Sequence, residues 1–272
     1  ADGGVTFGNA DTETVGTGGD GPVNVINTDD AIDIGVGANV ITGTGIVLNG
    51  GAGTLAIQTT GDVVRLNGAV TLQSVVTIDT DSTDGDIEGG NVTFTNDSPI
   101  DSQAGEHNSL TIDAGLGSVF FNEDIGAGQS IGTLTVTEAD GGVTFGNADT
   151  ETIGAGGDGP VNVINTDDAI DIGVGANVIT GTGIVLNGGA GTLSIQTTGD
   201  SVRLNGAVTL QSVVTIDTDS TDSDAEGGDV TFTNDSPIDS QAGEHNSLSF
   251  DAGVGSLFFN DDIGGVQSIG AL

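Results

Sequence analysis

The sequence contains no cysteine, methionine, tryptophan, tyrosine or lysine, and its only strongly basic side chains are two arginines. Without cysteine the chain has neither a disulfide framework nor a thiolate metal site. Forty acidic residues give a formal net charge of −38, which excludes nucleic acid as a partner because almost nothing could neutralise phosphates. An anionic membrane surface would repel the chain as well. No apolar run approaches the ~20 residues of a membrane-spanning helix, so we expect no membrane insertion.

What the chain does contain is glycine, at 49 of 272 residues, and an apolar fraction of 35% built mainly from Val, Ile, Leu and Ala. A disordered polar chain would lack those β-branched residues. The composition therefore predicts a folded protein with a thin core of short side chains. The absence of cysteine together with that of the easily oxidised Met, Trp and Tyr favours an extracellular location.

The strongest pattern is an internal repeat, because residues 1–134 recur as residues 139–272 with 15 differences. The offset is constant and has no insertion or deletion, which predicts two copies, 1–138 and 139–272, the second shorter than the first. The junction has no proline and keeps strand character, so we expect the copies to stack without a linker. The second copy stops at Leu272, inside a run that the first copy continues, which suggests a longer array. Tandem copies add length to a fibre but little to an enzyme.

Within each copy, short β-prone runs alternate with Gly, Asn and Asp turns. Runs such as Val63–Leu66 and Ser109–Ile112 read apolar–polar–apolar, the period of a half-buried strand, and no segment shows a helical period. Such short runs become stable when wound as coils that pair with the coils above and below. The sequence therefore predicts an all-β solenoid with about six coils per repeat copy, advancing roughly 29 Å per copy. An array of β-sandwiches is the alternative.

The stretch from Ser109 to Phe121, continued through Ile131–Val136, resembles the coil unit of giant filamentous-haemagglutinin-like surface proteins of Gram-negative bacteria. The close match to that unit is confined to this part of each copy, while the rest of the copy shares only the general pattern of short β-prone runs and turns. The resemblance implies a right-handed parallel β-helix, export, an elongated shape, and roles in adhesion, aggregation or cell-surface architecture. The secretion domain with which that family begins is not among these residues.

The densest acidic run predicts a cation site. Oxygen ligands at alternating loop positions suit Ca²⁺, although the spacing is not that of an EF-hand and Gly85 becomes Ser223. The alternative is a solvated acidic loop. The candidate ligands are Asp79, Asp81, Asp84, Asp86 and Glu88, with Asp217, Asp219, Asp222, Asp224 and Glu226 in the second copy.

A second loop, 97–108, carries the single histidine of each copy, His107 or His245. One histidine without a nucleophile or base nearby favours a surface position over metal binding or acid–base work. Arg65 and Arg203 lie mid-strand, so we expect them to point outward and pair with a neighbouring aspartate. We expect no enzyme activity. The broken Thr-x-Thr spacing also disfavours an ice-binding face.

Two functions remain from the sequence. The first is a structural segment of a long extracellular or cell-surface fibre, with adhesive properties and lateral self-association as extensions. The second is a module that binds a glycan or protein partner through the acidic loops 81–90 and 97–108, with Ca²⁺ as a stabilising ion.

Overall fold

A computed structural model describes residues 2–7, 23–35, 39–82, 88–146, 159–220 and 226–272. These residues form short strands joined by turns, and none of them is helical. The strands are β1 (Val5–Phe7), β2 (Val25–Thr28), β3 (Ile32–Ile34), β4 (Ile41–Leu48), β5 (Leu55–Thr59), β6 (Val64–Leu66), β7 (Gly68–Leu72), β8 (Val76–Asp79), β9 (Val92–Phe94), β10 (Ile100–Ser102), β11 (Leu110–Asp113), β12 (Ser118–Phe121), β13 (Leu134–Val136), β14 (Gly142–Phe145), β15 (Val163–Thr166), β16 (Ile170–Ile172), β17 (Ile179–Leu186), β18 (Thr192–Thr197), β19 (Val202–Leu204), β20 (Gly206–Leu210), β21 (Val213–Asp217), β22 (Val230–Phe232), β23 (Ile238–Ser240), β24 (Leu248–Asp251) and β25 (Leu257–Phe259).

The named strands pair in parallel with strands of the neighbouring coils, which makes three stacked sides. Side A contains β1, β4, β7 and β10, continues through an isolated bridge at Ile125, and resumes with β15, β18, β21 and β24. Side B is an unbroken sheet of nine strands from β2 to β25. Side C contains β3, β6, β9, β12, β14, β17, β20 and β23, with a last bridge at Ile263. The predicted all-β parallel solenoid is confirmed, while its hand remains a prediction from the resemblance.

The sequence distance between paired positions gives the length of each coil. One of the longest coils joins Val5 to Ile46, and one of the shortest joins Ile57 to Ile78, so coil length varies nearly twofold. Most strands keep a similar length, so the corners between sides absorb much of this difference. Corner length therefore varies from coil to coil.

Within the described residues, the first repeat copy contains 14 sides, namely the thirteen strands β1–β13 and the broken side at Ile125. Three sides make a coil, so a copy winds through four and two-thirds coils. This differs from the six coils that we expected, because the corners are longer than that number of coils allows. At ~4.8 Å between stacked strands, each copy advances about 22 Å rather than roughly 29 Å.

The non-integral winding rotates the second copy by a third of a turn relative to the first. The strand β1 lies on side A, whereas its repeat β14 lies on side C; likewise β2 is on side B and its repeat β15 on side A. Three copies would wind through 14 whole coils before a given residue returned to the same side. Equivalent residues of successive copies therefore face three different directions around the solenoid axis.

The core is a single column of inward side chains that runs through all the coils. On side C, the rings of Phe94, Phe121 and Phe145 stack with centroids 5.4 and 5.0 Å apart. The second copy repeats this stacking on side B, where Phe232 and Phe259 are 5.5 Å apart. Such pairs add to the burial of their rings, because offset aromatic rings attract one another.

Strands of the two copies pair across the repeat junction. On side B, β13 pairs with β11 before it and with β16 after it. On side C, β14 pairs with both β12 and β17. The sheets therefore run through residue 138 with the same parallel pairing that they have inside a copy.

Candidate functional site

The residues of the predicted cation site lie where side B turns into side C. Asp79 is the last residue of β8 and faces outward, and Asp81 forms an isolated bridge with Thr60. Asp217 and Asp219 repeat this arrangement in the second copy, where side A turns into side B. Four of the ten predicted ligands lie outside the described residues, namely Asp84, Asp86, Asp222 and Asp224.

The first carboxylate of each predicted site makes a local turn. Asp79 accepts a hydrogen bond from the backbone N–H of Asp81 at 2.9 Å, and Asp217 does the same for Asp219 at 2.9 Å. These side chains therefore shape the backbone of their own loop, as Asp side chains often do in turns.

Asp79 is also stacked in register beneath Asp113 of the next coil. Asp113 accepts from the N–H of Gly115 at 3.2 Å. Burial raises the pKa of the Asp113 carboxyl, the Gly115 hydrogen bond opposes that shift, and the charge of Asp79 adds to it. The stacked carboxylates thus repel each other.

Glu88 contributes its backbone to this corner. Its carbonyl accepts from Leu116 N–H at 3.3 Å, and a Cβ on Gly115 (φ +50°) would lie 2.5 Å from the same oxygen. Glycine is needed there because the chain packs against backbone in a left-handed conformation. Glu226 occupies the same place in the second copy, where its carbonyl oxygen would clash with a Cβ on Gly253.

Within the described parts of the chain, no three His, Asp or Glu side chains converge closely enough to hold a metal. The predicted calcium site therefore stays a prediction, since much of its loop lies outside those residues.

The second predicted loop, 97–108, is anchored by a carboxylate. Asp101 Oδ1 accepts from the backbone N–H groups of Gly128 and Gln129, at 2.8 and 2.9 Å, which belong to the next coil. Asp239 makes the same pair of bonds to Val266 and Gln267 at 2.9 and 2.8 Å. These acids join coils, a role that the sequence did not reveal because their partners lie a whole coil further along the chain.

His107 is exposed, as predicted, and lies beside a serine and an aspartate. Its Nδ1 is 2.9 Å from Ser130 Oγ and 3.9 Å from Asp167 Oδ1, and Asp167 belongs to the second copy. A serine–histidine–aspartate relay needs the serine and the carboxylate on different ring nitrogens. Both contacts here fall on the same nitrogen, so this trio does not have the geometry of a hydrolase.

Both arginines pair with an aspartate of the preceding coil, as predicted. Arg65 Nη1 lies 3.0 Å from Asp33 Oδ1, and Arg203 Nη1 lies 2.8 Å from Asp171 Oδ1. Each Nη1 also donates to a backbone carbonyl. The two guanidinium groups therefore bind neighbouring coils together.

Two further carboxyls have a raised pKa. Burial raises the pKa of Glu123 and of Asp200. Neighbouring acids add to the shift, Asp124 and Asp97 at Glu123 and Asp168 and Asp167 at Asp200. Both groups thus lie among like charges.

No helix in the described parts of the chain is long and apolar enough to cross a membrane. A scan of known protein families and searches of characterised proteins and solved structures returned no significant match.

Proposed function

We propose that this chain is a length-giving repeat segment of a long extracellular or cell-surface fibre, without a catalytic role. The observation that carries the proposal is the pairing of β13, which is hydrogen-bonded to β11 of its own copy and to β16 of the next. Because the junction uses the same pairing as the interior, further copies can stack in the same way. Each added copy then contributes its own stability and one interface, as in other solenoids.

The acidic surface supports an exposed fibre. With a net charge of −38, parallel fibres would repel one another at low salt, which keeps them apart and soluble. Lateral self-association would then depend on salt screening or on bridging divalent cations. The composition and the resemblance to filamentous haemagglutinins support the extracellular location.

The positions of the reactive side chains support a structural role. The arginines are engaged with Asp33 and Asp171, and His107 has both of its neighbours on one nitrogen. The arginine and histidine side chains therefore contact other coils of the same chain. The second candidate function is a binding module. It is favoured by a cleft that three neighbouring coils form, which is described below.

The test is the dependence of length on copy number. The present chain is compared, by small-angle X-ray scattering, with a chain extended by one more copy of residues 1–138 placed before Ala1, which keeps the 138-residue period. We expect the maximum dimension to grow by about 22 Å while the cross-sectional radius stays constant. Independent domains on a flexible hinge would give a different result, namely growth in both quantities or a distribution of lengths.

A further inference from the structure

A cleft lies across three successive corners between side A and side B. The middle corner, 73–75, is much shorter than the corners of the coils on either side, 49–54 and 103–109. The short corner forms the floor and the longer ones form two walls. The cleft is largely open to solvent and has a volume of about 480 Å³.

Hydrogen bonds between coils hold this cleft in shape. Ser74 Oγ on the floor accepts from Gly50 N–H of one wall at 2.6 Å. In the other wall, Asn108 Nδ2 donates to the Leu72 carbonyl at 3.0 Å and to Glu106 Oε2 at 2.9 Å. A cleft fixed in this way loses little conformational freedom when a ligand enters.

Several polar groups at the cleft retain unused hydrogen-bonding capacity. Among the described residues, no partner is seen for the Gln73 amide N–H groups, for Glu106 Oε1, for His107 Nε2 or for Asn108 Oδ1. Donors and acceptors are thus mixed over a short distance. Hydroxyl groups, which donate and accept at once, match such a mixture best.

The cleft also offers a small apolar surface. Val75 on the floor is 40% exposed, and Ala52 on one wall is exposed too. A sugar ring has a hydroxylated edge and an apolar C–H face, so both kinds of surface would be used.

The charge of the residues that line the cleft limits the kind of ligand that can bind there. Of the residues that line the cleft, Glu106 is acidic and none is Lys or Arg, and the whole chain carries −38. Uronates and sulfated sugars would therefore be repelled. A cationic peptide would leave the amide donors of the cleft without acceptors. The single carboxylate, that of Glu106, already accepts a hydrogen bond from Asn108.

We infer that this cleft binds a neutral saccharide of one or two rings, whether or not the chain forms part of a fibre. Gln73, Glu106, His107 and Asn108 would bond the hydroxyl groups, and Val75 would pack against the ring.

The second copy contains the same framework. Ser212 Oγ accepts from Gly188 N–H at 2.6 Å, and Asn246 Nδ2 donates to the Leu210 carbonyl at 3.0 Å and to Glu244 Oε2 at 2.8 Å. Val213 is 39% exposed, like Val75 in the first copy.

One hydrogen bond of this framework differs between the copies. Asn49 Nδ2 donates to Gln73 Oε1 at 3.1 Å. The equivalent Asn187 is 1% exposed and its Nδ2 has no partner among the described residues. A buried donor of this kind costs free energy until an acceptor reaches it, and the side chain of Gln211, the equivalent of Gln73, carries the amide oxygen that accepts this bond in the first copy.

The third-of-a-turn rotation determines how these clefts are displayed. The first opens at the corner between sides A and B and the second at the corner between sides C and A, about 22 Å further along the axis. A flat glycan surface would engage every third copy, whereas a polysaccharide matrix would meet clefts on all sides. Weak single-site binding would then be strengthened by the number of copies.

The test uses the full chain and saturation-transfer NMR. The probes are the methyl glycosides of glucose, galactose, mannose and N-acetylglucosamine and their β-linked disaccharides, with a sulfated disaccharide and tetralysine as charged comparisons. The double variant Ala52→Trp with Ala190→Trp fills both clefts without removing a hydrogen bond. Ala104→Trp with Ala242→Trp is the matched control, because these alanines are also exposed but do not line the cleft.

We expect at least one neutral saccharide to bind, with at least a tenfold loss of affinity in the cleft-filling variant and less than a threefold change in the control. The inference is overturned if no neutral saccharide binds at millimolar concentration, if the two tryptophan variants behave alike, or if tetralysine alone binds. Scattering on the same samples reports the length of the chain separately, so a failure here would leave the fibre proposal standing.

Discussion

Phe120 and Phe121 are neighbours in β12, yet they belong to two different regions of the molecule. Phe121 points inward, is fully buried, and stacks between Phe94 and Phe145. Phe120 points outward, is half-buried, and lies in register with Thr93 of the coil before it. We call the inward-facing side chains of the strands the inner row and the outward-facing ones the outer row. The inner row joins the coils through apolar packing, while the outer row faces its neighbours mainly through polar groups.

Differences between the copies follow the same division. Inward positions exchange one apolar side chain for another, as at Ile112→Phe250 and Val119→Leu257. Some outward positions change chemical class, as at Ala56→Ser194 and Val63→Ser201, while others, such as Thr111→Ser249, keep it. The inner row thus keeps the chemistry that the fold needs, and the outer row is open to change.

The outer row is itself divided in its effect on stability. Asp101 and Asp113 lie on successive sides of the chain, in β10 and β11. The first accepts two backbone N–H bonds from the next coil. The second lies above Asp79 with a raised pKa. Some acids therefore hold coils together, while others oppose the stacking.

The largest effect should come from breaking the inner row. Phe121→Ala leaves a cavity in the aromatic stack and should lower the free energy of unfolding by about 3–5 kcal/mol. Phe120→Ala, the outward control, should cost less than about 1 kcal/mol. Urea denaturation of both variants measures the difference, and equal costs would contradict the assignment of the two rows.

A smaller loss is expected from the acids that join coils. Asp101→Ala leaves two backbone N–H groups without their acceptor and should cost about 2 kcal/mol. Asp101→Asn keeps an acceptor oxygen and should cost less. Asp239→Ala tests the same contact in the second copy. If the alanine variants melt like the parent, these bonds do not stabilise the stack.

Added salt should raise the stability of the chain, whereas the substitutions above lower it. Two carboxylates ~4.8 Å apart repel by about 1 kcal/mol in water, so NaCl should raise the melting temperature by screening this repulsion. CaCl₂ matched for ionic strength should add a further increment if the loop 79–88 binds calcium. Identical melts in the two salts would remove the calcium site, and a melt that ignores salt altogether would remove the repulsion.

The smallest effect concerns Asp113 and pH. Its pKa in the folded chain is raised above 3.8, mainly by burial. The protonated form is therefore favoured in the folded state, and this carboxyl's contribution to stability falls as pH rises from 3.8 through the folded pKa. Asp113→Asn should flatten that fall and stabilise the chain at neutral pH by less than about 1 kcal/mol.

Calorimetry from acidic to neutral pH measures this effect. Asp251→Asn is the control, because Asp251 occupies the equivalent, exposed position. A parent and an Asp113→Asn variant with the same pH dependence would show that burial of Asp113 has no energetic consequence.

Alternation along single strands was readable from the sequence. Leu110 and Ile112 point inward and Thr111 outward, as their apolar–polar–apolar order predicts. The outward arginine paired with an aspartate also followed from strand periodicity. These features depend only on the order of near neighbours along the chain.

Features that depend on the winding were not readable. The coil count was too high because coil length varies nearly twofold, and side A is broken at Ile125. Asp101 finds its partners in the next coil. The cleft needs corners 49–54, 73–75 and 103–109 to lie side by side, which becomes visible only when the coils are assigned.

The central claim is that two near-identical copies form one stack, rotated by a third of a turn. The chain has no cysteine, so an introduced pair reports register cleanly. Thr135 of the first copy and Asp171 of the second are register partners, ~4.8 Å apart and close enough for a disulfide. Thr135→Cys with Asp171→Cys should therefore crosslink on mild oxidation, whereas Thr135→Cys with Arg203→Cys, two coils apart, should not. Crosslinking of the second pair, or of neither, would contradict the account.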